Sequence, residues 1–179
     1  MEKLNAFRLI KQQYKDISKN PITNCGISVG LINDNDIFNW RACLFGASDT
    51  SYKNGHFFLK IKFPDNYPHT APEIVFLTPI YHLNVNFRKI NMPGAEELGH
   101  VNVSFLNWWR PETTVREMLT KLITVFYLPN SDSCYSIERA NEFRNNRCLY
   151  EAKVKYFTKK YANFINASKI YDNWDFSVN

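Results

Sequence analysis

Phe63-Pro64-Asp65-Asn66-Tyr67-Pro68-His69-Thr70-Ala71-Pro72 decides how the first half of this chain folds. Three prolines within nine residues exclude a central strand, because each lacks an amide donor, and they impose an extended loop. Before the loop, His56 to Phe63 alternates: Phe57, Leu59, Ile61 and Phe63 take one face, His56, Lys60 and Lys62 the other. That period of two is expected where one side of a sheet is buried. After the loop, Glu73-Ile74-Val75-Phe76-Leu77 supplies a further short strand.

Outward from this pair the pattern continues. Cys25 to Leu31 alternates as a strand, Asn33-Asp34-Asn35-Asp36 is a turn of short polar side chains, and Ile37 to Phe45 is a second strand. Gly46 through Gly55 reads as the connection to the His56 strand, so four strands form an antiparallel meander. At the N-terminus, Leu4, Phe7, Ile10, Tyr14 and Ile17 recur at threes and fours with Lys3, Arg8, Lys11 and Lys15 between them. This predicts an amphipathic helix buried along that stripe and stopped at Asn20-Pro21. Downstream, Thr114-Val115-Arg116-Glu117 has the capping-box pattern and opens a core helix carrying Met118, Leu119, Leu122, Ile123 and Phe126, up to Leu128-Pro129. Two more helices are predicted, from Ser136 to Phe143 and from Cys148 to Tyr161. The fold class is α+β.

Composition narrows the function. A chain of 179 residues, 45% hydrophobic and 16% aromatic, makes one domain with an ample core. The net charge of +5 is dispersed, with no clustered basic stripe of the kind that binds nucleic acid. Cysteines at 25, 43, 134 and 148 have no C-x-x-C spacing and the four histidines no H-E-x-x-H pattern, so neither a metal nor a cofactor is expected. The N-terminus shows no apolar signal region, and no run approaches the ~20 apolar residues of a membrane span. A reducing cytoplasmic or nuclear setting fits best, without membrane contact.

The residues also carry a resemblance. Trp40, Gly46, Tyr52-x-x-Gly55-x-Phe57, Phe63-Pro64-x-x-Tyr67-Pro68-x-x-x-Pro72 and Thr78-x-Ile80-Tyr81-His82-x-Asn84 resemble, in order and spacing, the signature of the ubiquitin-conjugating enzyme family. The resemblance covers residues 1–163 and implies the family's fold: an N-terminal helix, a four-stranded meander, a central helix and two C-terminal helices. Residues 85–98 form an insertion longer than the family needs, and 164–179 an aromatic extension. With Ile165, Ile170, Tyr171, Trp174 and Phe176, that extension is too apolar for a solvated linker and should pack on the domain or hold a partner.

What the resemblance implies for chemistry turns on one position. Gly99-His100-Val101-Asn102 stands where the family has Gly-x-(Ile/Val)-Cys, so Asn102 replaces the cysteine that carries ubiquitin. A thiol accepts an acyl group because its thiolate is accessible near neutral pH and leaves readily. A carboxamide does neither. Asn84 matches the asparagine of the family's His-Pro-Asn turn, which is thought to steady a developing oxyanion. With the nucleophile gone, a turn asparagine tying its own backbone is the expected role. His82 matches a structural position, and Leu83 replaces the turn proline. Cys134 is the one cysteine near the site and the candidate for a displaced nucleophile, beside Ser133.

Partner contacts implied by the resemblance fall on Lys3, Arg8 and Lys11 of the first helix, on His69, and on Trp109-Arg110-Pro111. The expected partners are a ubiquitin-like modifier, an active conjugating enzyme or a ligase. Three functions compete: an inactive family member acting by protein binding; an active transferase using Cys134 or altered at residue 102; and a structural domain unrelated to ubiquitin.

Overall fold

A computed structural model of the chain describes residues 2–22, 26–86, 99–101 and 108–172. Helix α1 (Glu2–Lys19) leads into strands β1 (Ile27–Asn33), β2 (Asp36–Phe45), β3 (His56–Lys62) and β4 (Glu73–Phe76). Two short strands follow, β5 (Val85–Asn86) and β6 (Gly99–Val101), and then helices α2 (Val115–Tyr127), α3 (Ile137–Asn145), α4 (Arg147–Tyr161) and α5 (Phe164–Asp172).

The expected meander is present: β1 to β4 pair successively and antiparallel. The sheet then grows beyond it to six strands in the order β1-β2-β3-β4-β6-β5. Strands of two and three residues carry no readable periodicity, so β5 and β6 were not evident in the sequence. Gly46 is fixed by crowding in the β2–β3 connection, since a Cβ there would stand 1.7 Å from the Tyr52 carbonyl oxygen.

The alternation read in β3 holds. Phe57, Leu59 and Ile61 are fully buried against α2, where Met118, Leu119, Leu122 and Phe126 supply the opposing layer. Phe126 centres this packing, with ring centroids 5.3 Å from Phe57 and 4.5 Å from Tyr52. Each such buried side chain contributes about 1.5–3 kcal/mol. Helix α2 begins as predicted: the Thr114 hydroxyl accepts from the Glu117 amide while the Glu117 carboxylate accepts from the Thr114 amide.

Helix α1 departs from expectation in its buried stripe. Ala6, Ile10 and Ile17 are the buried residues, whereas Leu4 is 53% and Phe7 38% exposed. The helix is rotated so that small Ala6 approaches the body closely. Tyr14 still reaches inward and meets Trp40 edge-on at 5.2 Å.

The extension begins as a helix that the sequence reading did not foresee. Ala167 of α5 is fully buried, and Phe164 lies edge-on to His56 at 5.4 Å, so α5 packs against β3. Residues 173–179, with Trp174 and Phe176, lie outside the described residues, as does most of the 85–98 insertion.

Candidate functional site

The turn from His82 to Asn84 is built from the inside. His82 is 1% exposed; its Nδ1 accepts the Asn84 amide at 3.0 Å and its Nε2 lies 3.2 Å from the Val125 carbonyl, to which it donates. Burial pushes the imidazole down to about 4, against the opposing pull of the Val125 carbonyl, so the ring is neutral at physiological pH. A neutral, doubly hydrogen-bonded histidine is a strut.

Asn84 is 3% exposed and its carboxamide is engaged at both ends. Nδ2 donates to the Asn130 carbonyl at 2.7 Å and to the Ser133 carbonyl, while Oδ1 accepts the Asn130 amide at 2.9 Å. The side chain therefore ties a different loop, residues 128–134, and not its own backbone as a turn asparagine was expected to do. The Tyr135 amide donates to the Leu83 carbonyl at 2.9 Å and closes the same seam. With both donors and the acceptor used, the amide has no N–H left to offer an incoming oxyanion unless the loop lets go.

Strand β6, the last described stretch before residue 102, adjoins this seam through the sheet. Val101 of β6 pairs with Val85 of β5, the residue after Asn84. Asn102 follows Val101 and itself lies outside the described residues. Cys134 is half-buried, packed against the core beside the Ser133 carbonyl that Asn84 holds. It is thus close to the seam but shares its loop with the clamp.

A second region gathers the residues assigned to partners. The Trp109 indole donates to the Pro68 carbonyl at 2.8 Å and its ring lies 5.7 Å from Tyr67. Trp108 and Trp109 are both half-buried, so neither ring is wholly inward. His69, Arg110 and Pro111 are exposed around this contact, and Lys3 of α1 joins through Asp65 at 3.1 Å. Arg8 and Lys11 are exposed on α1, near the uncovered Leu4 and Phe7. The result is a mixed face, with basic groups around exposed apolar side chains.

Two residues that organise these regions escaped the sequence reading. Gln13 Oε1 accepts from the Tyr67 hydroxyl at 3.1 Å and from the Val115 amide at 2.7 Å, joining α1, the proline-rich loop and the first turn of α2. The only sequence signal was a polar residue beside Tyr14 on an otherwise apolar stripe. Arg139 of α3 donates to the His82 and Val85 carbonyls at 3.1 and 3.2 Å, and its guanidinium stacks on Tyr81 at 4.7 Å. Among the described residues no group of three His, Cys, Asp or Glu side chains could hold a metal ion. No described helix is long and apolar enough to cross a membrane.

Comparison with known proteins bears directly on this arrangement. Residues 9–158 match the family model described as ubiquitin-conjugating enzyme. Ubiquitin-conjugating enzyme E2 13 of Arabidopsis thaliana is 32% identical over 161 residues, covering 87% of this chain and 95% of the relative. Ubiquitin-conjugating enzyme E2 15 of Schizosaccharomyces pombe is 31% identical over 159 residues, covering 86% and 93%. The crystal structure of a protein assigned as a ubiquitin conjugating enzyme from Plasmodium yoelii superposes with a TM-score of 0.72 at 27% identity, covering 88% of this chain and 95% of that one. With a fold, a signature and relatives that agree over nearly the whole length, the chain belongs to the ubiquitin-conjugating enzyme family.

Proposed function

We propose that this family member lacks the catalytic cysteine and acts in a ubiquitin or ubiquitin-like pathway by binding other proteins. The observation that carries the reading is the engagement of Asn84: every hydrogen-bonding group of its carboxamide is spent on Asn130 and Ser133. The residue that active members are thought to use on the oxyanion serves here as a loop fastener. Asn102 at the carrier position supplies the same message from the sequence, since an amide nitrogen delocalised into its carbonyl does not accept an acyl group.

Binding falls to the face around Lys3, Arg8, Lys11, His69, Trp109, Arg110 and Pro111, with an active conjugating enzyme, a ligase or the modifier as partner. The three described cysteines are free thiols, in keeping with a cytoplasmic or nuclear setting. A second reading rests on Cys134, which sits next to the carbonyl Asn84 holds; the catalytic group would then have moved across the seam.

Purified chain, presented in turn with ubiquitin, an active conjugating enzyme and a RING ligase, tests the binding role by titration calorimetry. At least one partner should bind, and the triple variant Lys3→Glu, Arg8→Glu, Lys11→Glu should weaken it tenfold or more. Binding to none of the three would remove the proposal.

A further inference from the structure

A cavity of about 840 Å³ opens between the β2–β3 connection, helix α4 and Pro129, and the functional reading above does not use it. Sites for small molecules occupy about 300–1,000 Å³. The loop wall is preformed by its own backbone: the Thr50 amide donates to the Ala47 carbonyl, the Lys53 amide to the Thr50 carbonyl and the Asn54 amide to the Gly46 carbonyl. The opposite side presents Tyr150 and Val154 of α4, 2% and 1% exposed, as an apolar floor.

Charge decides what such a cavity takes. Lys53, Arg147, Lys155 and Lys159 line it against two carboxylates, Asp49 and Glu151, a surplus of two positive charges. Glu151 is spent on Arg147 at 2.8 Å. Among the described residues none of the three lysines has an ion-pair partner. Lys159 lies in the last turn of α4, where the negative end of the helix favours a cation. Lys155 has no such ground: it stands one turn earlier, facing Lys159 at a spacing where like charges repel. Ser48, Ser51 and Asn54 add hydroxyl and carboxamide donors along the loop wall.

We propose that this cavity binds a small organic monophosphate, its phosphoryl group held among Lys53, Lys155 and Lys159 and its apolar body lying on Tyr150 and Val154. A phosphoryl group carries about −1.5 to −2 near pH 7, which balances the surplus charge where a single carboxylate would leave half of it. Its several acceptor oxygens suit cations that come from two different elements, the loop and the helix. Inorganic phosphate alone would leave most of the cavity and the whole apolar floor unfilled, so the ligand has an organic part.

The test titrates AMP, phenyl phosphate, inorganic phosphate and adenosine separately into the isotope-labelled full chain, following backbone amide shifts by NMR. No other protein is present, so the outcome is independent of whether the chain binds partners. AMP or phenyl phosphate should saturate with a Kd of about 1 mM or below, shifting amides of residues 48–54 and of α4, and inorganic phosphate and adenosine should each bind about tenfold more weakly or worse. Lys155→Ala/Lys159→Ala should weaken the organic phosphate about tenfold. Lys15→Ala/Lys19→Ala, which removes the same charge from exposed positions of α1, should leave it within about twofold. All four lysines are exposed on helices, where alanine is the strongest helix former, so both variants fold. No saturable shift with either organic phosphate overturns the proposal, as does equal weakening by the two lysine pairs, which would leave only diffuse charge. Inorganic phosphate binding as tightly as AMP would overturn the organic body, and adenosine binding as tightly would overturn the phosphoryl site.

Discussion

Replacing Asn84 by alanine isolates the claim that this residue fastens a loop. The substitution removes two hydrogen bonds donated by Nδ2 and one accepted by Oδ1. At about 1 kcal/mol each the three total about 3 kcal/mol. Asn130 is exposed, so water takes over part of its backbone bonding, and the expected loss is about 2–3 kcal/mol. For a domain of this size that lowers Tm by about 4–12 °C. Urea denaturation measures it directly, with the midpoint falling and the slope unchanged. Asn84→Asp sharpens the test, because a carboxylate oxygen would then face the Asn130 and Ser133 carbonyls without a proton to share. It should be at least as damaging at pH 7 and should recover as pH falls and the carboxyl acquires a donor. A loss below about 0.5 kcal/mol for Asn84→Ala would mean that the amide is not holding the loop, and the argument for a retired catalytic asparagine would fail with it.

Three further outcomes follow from the same geometry. His82 is held neutral with its pKa at about 4, while the unfolded chain protonates it near 6.5, so its contribution is complete above about pH 6.5 and is lost as pH falls toward 4. The loss should reach about 3 kcal/mol, and His82→Gln, which can keep both hydrogen bonds, should flatten the stability profile over that window. Gln13→Ala should cost about 2 kcal/mol by orphaning the Val115 amide and the Tyr67 hydroxyl. Gln13→Glu, an acceptor at the N-terminus of α2, should stay within about 0.5 kcal/mol of the parent in the same denaturation. Gly46→Ala should cost more than about 3 kcal/mol, since the Tyr52 carbonyl leaves no room for a methyl group, and an expressed, fully stable variant would contradict the packing there.

The sequence disclosed what is local or periodic. The capping box at Thr114 and Glu117 and the alternation of Phe57, Leu59 and Ile61 are properties of a few adjacent residues, and both are present as read. Helix α1 shows where periodicity runs out: Leu4 and Phe7 fit the stripe as well as Ile10 does, yet the rotation that seats Ala6 leaves them in solvent. Contacts between distant segments were not legible. Nothing near Gln13 announces Val115, 102 residues later, and nothing near Asn84 announces Asn130, 46 residues later. A hydrogen-bonding side chain names its chemistry but not its partner. For that reason the use of Asn84 as a tie between loops was not readable.

The proposal that Asn102 leaves the carrier position without a usable sulfur is the centre of the account. Intact-mass spectrometry of the full chain, after incubation with activating enzyme, ATP and ubiquitin or a related modifier, addresses it most directly. The account predicts no added mass that a reductant removes, for the parent and for Cys134→Ala alike. An increment of one modifier that dithiothreitol strips away would contradict it, and its loss in Cys134→Ala would name the residue responsible.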